Sequence, residues 1–167
     1  MTKTLVLLRH AKAEPYGNLG DKQRALAARG RRQASAFGEQ LAAEAGPFDV
    51  ALVSGALRTR ETYKLLAGDS DQFPVPVISD DLYEATARQV LAILNGFDES
   101  VGSAIVVGHE PVMSTLGYLL HDTQDDLAQQ IMLGIPTSTA IVIDVPGEWS
   151  ALDRSTAHVR AVLRPQE

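Results

Sequence analysis

Apolar residues in this chain gather in short blocks separated by polar, alanine-rich stretches. Thr4–Leu8 is a continuous apolar run with β-branched members and reads as a buried strand. Gly17, Asn18, Gly20 and Asp21 mark a loop. Leu26, Phe37 and Leu41 then recur among alanines and charges, which predicts a helix over Ala27–Ala45, stopped by Gly46 and Pro47. Gly30 and Gly38 inside that span count against it. Asp49–Val53 is a second strand, and Ser54 is placed to cap a helix carrying Leu57, Leu65 and Leu66 to Gly68. Pro74–Ile78 is a third strand. Thr86 caps a helix through Val90, Leu91 and Leu94, closed by Gly96. Ala104–Val107 is the fourth strand, and Glu110–Leu120 the fourth helix, with Pro111 in its first turn. Thr139–Val145 and His158–Leu163 complete the set, while Asp122–Gly134 reads as either a short helix or a long loop. Strand and helix alternate four times, which predicts right-handed crossovers. The expected fold is therefore α/β, a three-layer sandwich with a mostly parallel central sheet of about six strands and helices on both faces.

Composition narrows the class. The 167 residues read as one domain, 1–167, of ordinary globular make-up, with 45% hydrophobic and 22% charged residues. No apolar run approaches the ~20 residues of a membrane helix, and Leu5–Leu8 is too short for a signal-peptide core. The chain has no cysteine, which excludes thiolate chemistry and points to the cytoplasm as its place. A net charge of −6 argues against a nucleic-acid or membrane binder. Any anionic ligand must meet a local cluster of cations.

In open α/β sheets ligands bind beyond the carboxyl ends of the strands. Arg9 and His10 follow the first strand, and Ser54-Gly55-Ala56-Leu57-Arg58 the second. Asp80-Asp81-Leu82-Tyr83-Glu84 follows the third, and Gly108-His109-Glu110-Pro111 the fourth. Two arginines, two histidines and carboxylates at one rim suit phosphoryl transfer. Guanidinium forks match phosphate oxygens. The first turn of a helix also favours an anion at Arg58. A neutral imidazole can attack phosphorus while a second one donates to a phosphoryl oxygen. Each residue alone has a blander reading: an edge ion pair for Arg9, a backbone-bonded ring for His10, a solvated surface for Arg58, a turn for His109 and a loop carboxylate for Glu84. Arg29, Arg31 and Arg32 read as a solvated helix face, His121 as a helix-end residue, and His158 as a strand residue with no evident partner. His109-Glu110-Pro111-Val112-Met113 begins like a zinc helix, but Met113 stands where the second histidine is required, so no metal is expected. A Walker loop and a nucleophile elbow are also missing.

These segments resemble the histidine phosphatase superfamily. Leu8-Arg9-His10-Ala11 resembles its Arg-His-Gly signature, Ser54 to Thr62 its second motif, and Val107-Gly108-His109-Glu110-Pro111 its second-histidine motif. Arg24-Ala25-Leu26 with Gly30 is similar to the Arg-Pro-Leu-Thr-x-x-Gly segment of the small phosphohistidine phosphatases of SixA type. Ala11 stands for Gly, Gly55 for Pro, and Ala25 and Ala27 for Pro and Thr. The resemblance implies a phosphoglycerate mutase-like sandwich without metal or cofactor. It implies His10 as the nucleophile of a phosphohistidine intermediate, with Arg9, Arg58 and His109 holding the phosphoryl oxygens. It also implies Arg24 at the pocket mouth and Glu84, in a Leu-x-Glu segment, as general acid for phosphomonoesters.

A phosphohistidine leaves as imidazole and needs less help from an acid than an alkoxide does. The short connections favour a site open to a phosphohistidine-bearing phosphotransfer protein. A small phosphorylated metabolite cleaved with Glu84 as acid is the second expectation, and a phosphate-sensing binding protein the third. Free phosphate or sulfate is expected to fit the same pocket.

Overall fold

The computed structural model describes residues 1–16 and 18–166; Gly17 of the expected loop lies outside them. Six strands form one sheet: β1 (Lys3–Arg9), β2 (Val50–Ser54), β3 (Val77–Ser79), β4 (Ser103–Gly108), β5 (Ala140–Val145) and β6 (His158–Leu163). The helices are α1 (Ala28–Ala45), α2 (Leu57–Ala67), α3 (Ala87–Asn95), α4 (Val112–Leu120) and α5 (Asp126–Met132). Every predicted strand and helix is present. The ambiguous stretch after residue 121 holds α5, which Asp125 caps by accepting from the Ala128 N–H. Thr86 and Gln89 form a reciprocal capping box on α3. The residue before α2 is Ala56, so Ser54 does not cap that helix. Its hydroxyl is engaged elsewhere, as shown below.

The strand order is β3-β2-β4-β1-β5-β6. The first four of these neighbours run parallel, while β5 runs antiparallel to β1, and β6 to β5. The sheet is thus mixed rather than mostly parallel. The reason lies in the two helices between β4 and β5. They return the chain to the end of the sheet it has just left, where Arg9 N–H donates to Thr139 O and Ser138 N–H to His10 O. From there β5 can only run back along β1.

Side chains alternate across the pleat, so the all-apolar β1 feeds two cores. Val6 and Leu8 pack with Phe37 and Leu41 of α1 and Tyr63 and Leu66 of α2. Leu5 and Leu7 face Leu94 of α3, Leu116 of α4 and Trp149. Helices therefore cover both faces, and the parallel carboxyl ends share one rim. The two glycines that weakened α1 mark its close approaches. A Cβ at Gly30 would sit 2.1 Å from the Lys12 carbonyl oxygen, and one at Gly38 2.1 Å from that of Leu66. They let α1 press against the loop after β1 and against the end of α2.

Candidate active site

The rim brings four of the expected residues together. His10 follows β1, Arg9 ends it, Arg58 stands in the first turn of α2, and His109 follows β4. The parallel pairing of β1 with β4 matches Arg9 with Gly108, so both strands present a histidine one residue later. The two imidazole centroids are 5.5 Å apart.

His10 is held from several sides. Its N–H donates to Gly108 O, its carbonyl accepts from Ser138, and the next N–H, of Ala11, donates to Thr62 Oγ1. Its Nδ1 lies 2.7 Å from the Ala11 carbonyl oxygen. A carbonyl can only accept, so Nδ1 carries the proton and Nε2 keeps the lone pair. Burial, with His109, Arg58 and Arg9 nearby, pushes the His10 pKa down to about 3 against the pull of the Ala11 carbonyl. Burial and Arg58 push His109 down to about 4, against the opposing charge of Asp21. Both rings are neutral at neutral pH.

Around His10 lie three buried nitrogens without a hydrogen-bond partner: Arg9 Nε, Arg58 Nε and His109 Nδ1. Leaving a buried donor unpaired costs about 1–3 kcal/mol. Guanidinium N–H groups left free in this way match the oxygens of an anion. Both guanidinium groups are also anchored through their outer nitrogens. Arg9 Nη1 donates to Ile135 O at 2.9 Å, and Arg58 donates to Asp21 through Nη1 to its carbonyl (2.8 Å) and Nη2 to its carboxylate (3.1 Å). His109 Nε2 lies 2.8 Å from Ser54 Oγ, which also accepts the Ala56 N–H at 3.4 Å.

Several of these partners were not picked out in the sequence. Asp21 lies in a short 3-10 turn, Asp21–Gln23, and gathers Arg58, Arg24 and the Tyr83 hydroxyl. Those hydrogen bonds, Tyr83's foremost, hold its carboxyl below the usual range and raise the Tyr83 phenol. Glu110, read at first as part of a failed zinc motif, accepts from Ser114 N–H and Oγ–H and from Ile135 N–H. It thereby anchors the loop whose carbonyl holds Arg9.

Arg24 is joined to the cluster through Asp21 (2.9 Å) and also donates to Glu14 O, with its guanidinium over the Tyr16 ring. Glu84 does not join it. It is exposed, and its side chain makes no hydrogen bond or ion pair with any described residue. Its neighbour Tyr83 faces the site instead, edge-on to His109 at 5.7 Å and under the Arg58 guanidinium at 5.9 Å. The buried Leu82 of the preceding 3-10 turn orients the segment so that Tyr83 points inward.

Among the described residues, one His/Asp group has metal-like spacing: His121, Asp122 and His158. His121 Nδ1 already accepts the Val159 N–H, and its Nε2 donates to Asp125. Its lone pair is therefore committed to joining α4 to β6. His158, without evident partner in the sequence, pairs with Asp122 at 2.8 Å. No helix of the structure is long and apolar enough to cross a membrane.

Residues 5–90 match the profile of the histidine phosphatase superfamily (branch 1). An uncharacterized protein from Mycobacterium leprae is 33% identical over 165 residues, 95% of this chain and 100% of that one. Among solved structures, a protein assigned as the phosphohistidine phosphatase SixA from Nakamurella multipartitia is 27% identical, with a TM-score of 0.85 over 100% of this chain and 98% of that one. The corresponding assignment from Agrobacterium tumefaciens is 26% identical, with a TM-score of 0.78 over 98% of each chain.

Proposed function

Because the chain belongs to the histidine phosphatase superfamily (branch 1), we propose that it hydrolyses phosphohistidine carried on another protein, through a phosphoryl group held transiently on His10. The observation that carries this reading is the pairing of a fixed lone pair with unpaired donors. The Ala11 carbonyl leaves His10 Nε2 as the nucleophilic nitrogen, and the neighbouring Arg9, Arg58 and His109 each keep a buried nitrogen without a partner. Its likeness to the two SixA structures supports the same substrate class.

In the first step His10 Nε2 forms a bond to phosphorus as the P–N bond to the substrate imidazole breaks; the departing ring takes up a proton from solvent. In the second, water attacks phosphorus and the bond to Nε2 breaks, returning its lone pair; one water proton stays on the inorganic phosphate and the other passes to solvent. Ser54 has a defined part in both. Its oxygen lies within reach of the Ala56 N–H and of His109 Nε2, and we assign its hydroxyl proton to the bond with Nε2. Nδ1 then carries the proton that meets the charge developing on the phosphoryl oxygen.

The exposed Glu84 favours a substrate whose leaving group needs little acid assistance over an alkyl phosphomonoester. A pure phosphate-sensing role requires no nucleophile, yet the His10 tautomer is fixed as one. The test is turnover of p-nitrophenyl phosphate and of a histidine-phosphorylated phosphotransfer domain by wild type and His10→Ala. The trapped phosphoenzyme is expected to be acid-labile and base-stable. An acid-stable adduct, or full activity in His10→Ala, refutes the assignment.

A further inference from the structure

The charge of this chain is divided very unevenly. Residues 1–68 hold 11 Lys and Arg against 6 Asp and Glu, a net +5. Residues 69–167 hold 4 against 15, a net −11. Two of the cations, Arg9 and Arg58, belong to the phosphoryl site. Others converge on a surface groove between α1 and α2, a space of about 300 Å³ bordered by Arg31, Arg60 and Lys64 with Leu57 and Leu65 at its floor. Arg32 extends the same surface along α1, beside Arg31 and Leu65.

The bordering charges are not cancelled locally. Glu61 is the one carboxylate lining the groove, and it is engaged by the Leu26 N–H at 2.9 Å and by Arg31 at 3.2 Å. Arg60 keeps a single bond, from Nε to Gly55 O. The side chains of Arg32 and Lys64 form no hydrogen bond or ion pair with any described residue. Leu57 and Arg60, which line the groove, stand on the same first turn of α2 as Arg58, so the groove and the phosphoryl site are built on one helix end.

We infer that the α1–α2 groove is the docking surface for the protein that brings the phosphohistidine, and that it receives an acidic segment with apolar side chains. This rests on the phosphoprotein reading above and specifies the partner's chemistry. The apolar floor suits a polypeptide better than a nucleic-acid backbone, and the chain's overall negative charge repels an extended polyanion. An acidic protein meets attraction at α1–α2 and repulsion from the remainder, which orients it on approach as well as drawing it in.

The test uses the full chain carrying Arg32→Glu and Lys64→Glu, two residues outside the phosphoryl site whose side chains hold nothing in place. Its kcat/KM for p-nitrophenyl phosphate is expected to stay within about twofold of wild type, which also reports a folded protein. Its kcat/KM for an acidic, histidine-phosphorylated phosphotransfer domain is expected to fall about tenfold or more, through KM. Raising ionic strength should slow wild type on that substrate and affect the double variant much less. Unchanged turnover of the phosphoprotein by the variant overturns the docking surface and leaves the phosphoprotein reading standing. Wild-type turnover of p-nitrophenyl phosphate without any of the phosphoprotein overturns both. Loss of binding to a labelled single-stranded RNA, with phosphoprotein turnover intact, reassigns the groove to nucleic acid and overturns the inference.

Discussion

Replacing Ser54 with alanine removes one oxygen atom that acts on the substrate only through the His109 ring. Ser54 is fully buried, and its Oγ lies 2.8 Å from His109 Nε2. The backbone carbonyl of Ser54, which accepts the Thr59 hydroxyl at 2.7 Å, survives the change, so the start of α2 keeps its anchor. What disappears, besides the long contact from the Ala56 N–H at 3.4 Å, is the neutral hydrogen bond to His109, worth about 1 kcal/mol or roughly a fivefold bias between the His109 tautomers. Complete loss of a preorganised oxyanion donor costs ~10²–10³ in kcat. The alanine variant keeps the ring, with part of it in the correct tautomer, so kcat should fall by about 5- to 100-fold. The assay pairs kcat on p-nitrophenyl phosphate with ¹⁵N chemical shifts of the labelled imidazoles. Wild-type His109 should show a protonated Nδ1, and Ser54→Ala an averaged signal. An unchanged kcat, or a wild-type ring protonated at Nε2, would refute the assignment of the Ser54 proton.

Arg58→Ala should reduce kcat/KM on p-nitrophenyl phosphate by about 10²-fold or more, and Arg60→Ala by less than about threefold, since Arg60 lies outside the phosphoryl site; equal losses would mean that the wrong member of the pair has been chosen. His10 and His109 are held at about 3 and about 4 in the folded chain against an ordinary 6.5, so the unfolded state binds protons first as pH falls. Stability should therefore be insensitive to these rings above pH 6.5 and decline from there toward pH 4, a slope that His10→Asn should lessen in denaturant titrations at several pH values. Glu84→Gln is expected to leave kcat on phosphohistidine within about twofold, and a larger loss there than on a phosphomonoester would contradict the leaving-group argument.

The rim residues were legible because a parallel sheet converts sequence position into place. Arg9, His10, Arg58 and His109 each follow an apolar run, and the strands' common direction brings them to one edge. The direction of β5 and β6 was not legible, since an apolar run such as Ala140–Val145 reads the same in either orientation. What sets it is the pair of helices before β5, and the second of those could not be told from a loop. Asp21 and Tyr83 escaped for a different reason. Asp21 sits in one short 3-10 turn and Tyr83 just after another, some sixty residues on, and no local pattern signals that their side chains meet. Composition marks the carboxylate of Glu84, whereas the inward turn of its neighbour Tyr83 follows from the buried Leu82, which no composition shows. Ser54 was noticed as a helix cap; that its hydroxyl goes to His109 depends on β2 and β4 lying side by side.

Glu110 links parts of the molecule that the chain keeps far apart. Its carboxylate grips the opening turn of α4 and the amide of Ile135, whose carbonyl in turn steadies Arg9. The helix launched by one histidine and the guanidinium preceding the other are thus parts of a single truss. Slackening at residues 134–135 would be felt at both ends of the catalytic rim at once, so this distant loop is where drift in sequence could retune the site without altering any group that meets the substrate.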